Sequence, residues 1–197
     1  LKEINDRLKM YLPQTQFFSV ALVFINPHDK YIEVANAGMH DVLIMQNKQI
    51  VKRIESFMPP LGILETSSLN LTLETIPYEG DEQIYIYTDG ITETMNESGE
   101  MYGVERFEAD LQNPDLKVRQ IIANAMNFSA DENQTDDVSL IEIDLSSLQV
   151  IDSHDDYQHD ALTNWSCNFV AKADRLRDPS FVAYILDFIF QIQKMPS

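Results

Sequence analysis

Apolar and polar positions along the chain fall into runs of two different periods. Ile4, Leu8, Tyr11 and Leu12 recur at helical spacing across residues 2 to 12. Pro13 ends that run, because proline disfavours helical backbone in the residue before it. The pattern predicts the tail of an amphipathic helix with those four residues on its apolar stripe. Phe18 to Ile25 is then a β-rich apolar run, Asn26-Pro27-His28-Asp29-Lys30 is a turn, and Tyr31 to Asn36 is a second strand, which together predict a hairpin. Asp41 to Met45 and Ile50 to Ile54 continue the pattern across a polar turn, before the punctuation Pro59-Pro60-Leu61-Gly62. Leu69 to Ile76 alternates apolar and polar side chains, as a strand with one wet face does. Gly80-Asp81-Glu82-Gln83 turns into Ile84 to Thr88, a run apolar on both faces that predicts a central strand ending at Asp89-Gly90. Helical spacing returns at 104 to 111 and 115 to 128, and Val138 to Ile143 reads as a closing strand. Antiparallel strands first, then helices and one more strand, predict an α+β layered fold rather than βαβ alternation.

From about Asp144 the texture changes. Ser153 to Asp160 is polar, and helical spacing resumes across Val182 to Ile192, with Asp178-Pro179 suited to a helix start. The expected division is a first domain over residues 1–147, and a linker with the start of a second domain over 148–197.

Charge narrows the classes of partner. The net charge is -18, with 32 acidic against 14 basic residues, so nucleic-acid phosphates and anionic membranes are repelled. Such an excess usually means a solvated surface, but some of its carboxylates can converge on a hard divalent cation. The single cysteine, Cys167, excludes an internal disulfide and a thiolate zinc cluster and suits a reducing cytoplasm. No apolar run approaches the roughly 20 residues of a membrane span. The first residues do not form a signal peptide. A start on leucine within a helical pattern is what a piece of a longer chain would show, and the apolar last helix leaves a homodimer open.

Two carboxylates sit where a strand meets a loop: Asp89 after the strand 84 to 88, and Asp136 before the strand from Val138. Such positions are rigid and reach solvent, and Gly90 leaves room for a backbone or a water to approach. Read as a bare dipeptide, Asp89-Gly90 is no more than a turn, and Asp136-Asp137 alone says as little. His28, His40, His154 and His159 form no recognisable metal spacing with a carboxylate or Cys167 and read as surface or loop residues. Cys167 lacks the basic surroundings of a thiolate nucleophile.

The ordered set Asn36-Ala37-Gly38, Pro60-Leu61-Gly62, Gly80-Asp81, Tyr87-Thr88-Asp89-Gly90-Ile91-Thr92-Glu93, Gly99-Glu100-Met101-Tyr102-Gly103 and Asp136-Asp137-Val138-Ser139-Leu140 resembles the sporulation-type branch of the PPM metal-dependent Ser/Thr phosphatases. The resemblance covers roughly residues 1 to 145. It implies an α-β-β-α layered sandwich with Mn²⁺ or Mg²⁺ at one edge. It implies Asp89 and Asp136 as metal ligands, with Gly90, Glu93 and Asp137 supporting them, and Gly38, Gly62, Gly80 and Gly103 as turn glycines. The implied reaction is attack of metal-activated water on a phosphoserine or phosphothreonine, without a phosphoenzyme. Many relatives have His-Pro where this chain has Met39-His40-Asp41. That departure is expected to affect loop packing or substrate contact, not the metals. The family's first two metal-binding motifs would lie before Leu1, so the 197 residues alone are expected to be inactive.

The tail, with Trp165, Leu176-Arg177-Asp178 and the apolar positions Val182, Ile185, Leu186, Ile189 and Phe190, resembles the approach to a histidine-kinase-like ATPase of the anti-sigma type. An ordinary helical extension fits it almost as well. Together the two resemblances imply a bacterial partner-switching regulator whose substrate is a phosphorylated anti-anti-sigma-factor protein of the STAS fold. The competing readings are a phosphatase-like module that binds without catalysis and a β-rich interaction domain whose Asp-Gly pairs are only turns.

Overall fold

The computed structural model describes residues 1–13, 15–70, 72–129 and 138–148. The expected second domain, Cys167, His154 and His159, and the loop carrying Asp136 and Asp137 lie outside them. The first helix, α1, runs Lys2–Tyr11, followed by β1 (Val20–Asn26), β2 (Tyr31–Ala37), β3 (Val42–Gln46) and β4 (Gln49–Ile54). A short 3₁₀ turn at Thr66–Ser68 leads to β5 (Glu74–Pro77) and β6 (Glu82–Tyr87). The one-turn helix α2 (Asp89–Thr92), then α3 (Gly103–Gln112), α4 (Val118–Phe128) and β7 (Leu140–Asp144) complete the described elements.

The strands form two antiparallel sheets, β1-β2-β5 and β4-β3-β6-β7. The period of two in each strand then sorts the side chains into layers. Ile32 and Val34 of the first sheet meet Val42, Ile44, Ile54 and Ile84 of the second, forming the core between the sheets. The opposite face of the second sheet, with Leu43, Met45, Tyr85 and Tyr87, packs on Phe107 and Leu111 of α3 and Ile121 and Ala125 of α4. On the outside of the first sheet, Ala35 and Ala37 pack with Leu8 of α1 and with Met58, Leu61 and Leu69. Helix, sheet, sheet and helices follow one another, as the α-β-β-α expectation has it, and β6 is central to its sheet. Burying side chains of Leu, Ile or Phe size contributes about 1.5–3 kcal/mol each, so the three apolar layers dominate the stability.

Several local expectations are corrected. Tyr11 lies on the exposed side of α1, and the helix instead buries Asn5. Asn5 donates through Nδ2 to the Leu64 carbonyl at 3.1 Å and to Thr66 Oγ1 at 2.7 Å, and its Oδ1 accepts from Gly62 N at 2.8 Å. A fully bonded amide satisfies the rule that buried polar groups are paired, which lets it replace an apolar residue there. The strand expected from Leu69 is confined to Glu74–Pro77, because Leu69 turns into the α1 cluster instead of joining the ladder. Glu82 and Gln83, read as turn residues, already belong to β6, and Glu82 is buried while accepting from the amides of Glu79 and Gly80. Helix α4 starts at Val118 and β7 at Leu140, each later than the spacing suggested.

The turn between β2 and β3 is closed by Gly38, at φ 77°. A Cβ built there would stand 2.4 Å from Pro60 Cγ. Left-handed backbone costs a non-glycine residue about 1–2 kcal/mol, and the overlap with proline adds an overpacking cost of about 1–3 kcal/mol. Gly38→Ala is therefore expected to lower unfolding stability by about 2–5 kcal/mol, read as a lower urea midpoint at unchanged slope.

Candidate functional site

Asp89 leaves the sheet at the end of β6, and three sets of bonds fix that end. Beside β7, the ladder runs out to Tyr87 opposite Leu140. One residue further, Thr88 N donates to the Ser139 carbonyl at 3.1 Å and Ser139 N donates to Thr88 Oγ1 at 2.9 Å. Beyond the strand, Glu93 N donates to the Asp89 carbonyl at 2.8 Å, closing the single turn of α2. Beneath it, Gly90, Ile91 and Thr92 are buried, and Thr94 Oγ1 donates to the Gly90 carbonyl at 2.7 Å. This turn was not legible in the sequence, because four residues carry no helical period and a glycine in second place argues against helix.

The outcome is an exposed carboxylate on a buried platform. Asp89 Oδ1 accepts from Gly90 N at 3.0 Å, and among the described residues none donates to Oδ2. An anionic oxygen at a rigid strand end is the donor chemistry a hard cation requires. Among the described residues no group of three or more His, Cys, Asp or Glu side chains could hold a metal ion. Asp89 fits as one ligand, and the described residues do not complete the set. Glu93 is exposed one turn along from Asp89.

The same strand end carries an aromatic and ionic cluster. Tyr87 is buried, with its ring centroid 4.5 Å from that of Phe107, and the ring of His40 stacks on it at 5.2 Å and 15°. Arg53 makes a two-pronged ion pair with Glu108, one prong of it at 2.7 Å. Burial, together with the nearby Asp41 and Glu108 carboxylates, pushes the Tyr87 phenol up to about 12. A phenol whose folded pKa lies above its unfolded value contributes stability that is present below about pH 10 and lost as pH rises towards 12. Alkaline titration of tyrosinate absorbance should show several late-ionising phenols, since burial also raises those of Tyr85 and Tyr102, and Tyr87→Phe should remove one of them.

Of the predicted histidines, His28 sits exposed on the β1–β2 turn beside Asp29. His40 is half-buried and engaged with Tyr87. That cross-loop stack escaped sequence reasoning, because it joins residues separated by the whole β3–β6 excursion. Gly38, Gly62, Gly80 and Gly103 all have positive φ, as turn glycines do.

The family model for Stage II sporulation protein E (SpoIIE) matches residues 1–146. Protein IcfG of Synechocystis sp. is 27% identical over 133 residues, which are 66% of this chain and 20% of IcfG. Among solved structures, the SiaA-PP2C domain of Pseudomonas aeruginosa superposes with a TM-score of 0.61 at 15% identity, over 72% of this chain and 58% of that one. The PP2C phosphatase domain of the Bacillus subtilis cell fate determinant SpoIIE, solved with a fragment of its regulatory domain, gives 0.58 at 14% identity, over 72% and 42%. A Mn-presoaked phosphatase domain of the same B. subtilis protein gives 0.54 at 11% identity, over 76% and 67%. The chain thus spans about a fifth of IcfG and less than two thirds of the first two solved chains. A family match over nearly all of the layered region, on a sandwich shared with these phosphatase domains, means that the chain belongs to the SpoIIE family and carries the PPM phosphatase fold.

Proposed function

We propose that this chain is part of a metal-dependent protein phosphatase that hydrolyses phosphoserine or phosphothreonine. The observation that carries the reading is the exposed Asp89 carboxylate, held on buried residues at a sheet end to which the chain returns at Ser139. Asp136 stands three residues before Ser139 in the sequence, and the two aspartates are the ligands we assign. Asp137, Gly90 and Glu93 support them through the loop, the close backbone and hydrogen bonding. The family, and the preparation of a SpoIIE relative with manganese, favour Mn²⁺ or Mg²⁺. When bound, the ions would supply a water of lowered pKa and neutralise charge on the phosphoryl oxygens. Burial of Ile91 and Thr92 holds the backbone that carries the Asp89 carboxylate, so less reorganisation is needed when a cation and a phosphate arrive.

The substrate we assign is a phosphorylated anti-anti-sigma-factor protein of the STAS fold, in cytoplasmic bacterial partner switching. The domain division at 147/148, with an anti-sigma-type ATPase beginning in the second part, belongs to the same reading. Among the described residues no helix is long and apolar enough to cross a membrane. The test is Mn²⁺-dependent phosphate release from a phosphorylated STAS protein by the full-length protein. Turnover of that substrate above other phosphoproteins supports the whole reading. Turnover of other phosphoproteins only would remove the substrate assignment, and no turnover at all would favour the non-catalytic binding module.

A further inference from the structure

The two sides of β6 are held differently at the end that matters. On the β7 side, hydrogen bonds continue from Tyr87 through Thr88. On the β3 side the ladder stops at Leu43 opposite Tyr85, so Ile86 and Tyr87 have no β3 partner. The next hold on that flank is the His40 ring, stacked on the Tyr87 ring two residues before Asp89.

His40 is itself fixed from behind. Asn36, buried at the end of β2, donates through Nδ2 to the His40 carbonyl at 2.8 Å and to the Ile54 carbonyl at 3.3 Å, while its Oδ1 accepts from Met39 N at 3.1 Å. Gly38 N donates to the Met58 carbonyl at 3.0 Å and to Ser56 Oγ at 2.7 Å. The loop from Asn36 to His40 is therefore held by five hydrogen bonds, which fix the backbone that carries the His40 ring. The Tyr87 ring also packs against Phe107, with centroids 4.5 Å apart. Tyr87, the last residue of β6, is thus buried against both rings, one residue before Thr88 and two before Asp89, where α2 begins.

We propose that His40 is a positioning residue for Asp89, acting through the stack on Tyr87. The proposal rests on the reading of Asp89 as a metal ligand and says how that ligand is aimed. Sequence reasoning assigned the Met39-His40-Asp41 departure to loop packing or substrate contact, whereas the unladdered flank of β6 extends its reach to the metal carboxylate. A flat ring is what the geometry uses, so phenylalanine at this position should substitute for histidine.

The test is calorimetric titration of the full-length protein with Mn²⁺, alongside melting of the metal-free form. Asp89→Asn should lose binding. His40→Ala should bind Mn²⁺ about tenfold more weakly while melting near the wild type without metal, and His40→Phe should restore wild-type affinity. Should His40→Ala fail to fold, His40→Gln, which also lacks a ring, replaces it in the titration. Binding that depends on Asp89 but is unchanged in His40→Ala would overturn the proposal alone. Loss in His40→Phe equal to that in His40→Ala would also overturn it, since the imidazole and not the stack would then be required. Equal binding by wild type and Asp89→Asn would instead remove the metal reading, and the proposal with it.

Discussion

Asp89→Asn is expected to reduce Mn²⁺-dependent phosphate release by the full-length protein about a thousandfold, on the order of 4 kcal/mol of transition-state stabilisation. The substitution is nearly isosteric and keeps an oxygen that can accept from Gly90 N, as the aspartate does at 3.0 Å. It removes the charge that a hard cation needs. Since the carboxylate is exposed and the platform below it is formed by Ile91, Thr92 and Thr94, the fold should survive. The diagnostic pair of measurements is therefore a lost rate beside an unchanged denaturation curve. An active Asp89→Asn variant would show that the exposed carboxylate is only a turn residue.

Phe107→Ala should produce the largest loss of stability, about 3–5 kcal/mol. The ring is fully buried between α3 and the outer face of the second sheet, against Tyr87 and within a cluster that includes Leu43, Met45, Leu111 and Ile121. Removing it loses the transfer energy of the ring and leaves a cavity that two sheet strands and two helices cannot close. Against a typical total of about 5–15 kcal/mol, a loss of that size takes a large fraction of the stability. The urea midpoint followed by circular dichroism measures this. Phe107→Leu, which keeps most of the volume, should lose far less.

The elements were largely legible because their burial is one-sided or complete, and both conditions write a period into the sequence. The run from Ile84 to Tyr87 reads as central because Ile84 faces the other sheet while Tyr85 and Tyr87 face the helices. What the period could not carry was local or distant. Asn5 looks polar until the Gly62, Leu64 and Thr66 partners are beside it. Leu69 keeps the alternation of a strand while packing into the α1 cluster, because alternation records sidedness and not ladder bonding. For the site, the strand-end position of Asp89 was readable, since Asp89-Gly90 follows directly on the run that ends with Tyr87-Thr88. The supports were not: the turn of α2 is too short to have a period, and the His40–Tyr87 stack depends on how β3 and β6 are brought together.

The reciprocal bonds between Thr88 and Ser139 join positions 51 residues apart in the chain. Helices α2, α3 and α4 lie between these two positions, and the chain leaves the sheet at Thr88 and rejoins it at Ser139. Such an excursion behaves as a cassette. Its connecting loops can differ in length at little cost, since doubling a flexible loop adds only about 0.6 kcal/mol of closure entropy, whereas α3 and α4 are held to the sheet through Phe107, Leu111, Ile121 and Ala125. Insertions are therefore expected to be tolerated in the connections of this excursion and not at Thr88 or Ser139, the doorway that is bonded from both sides.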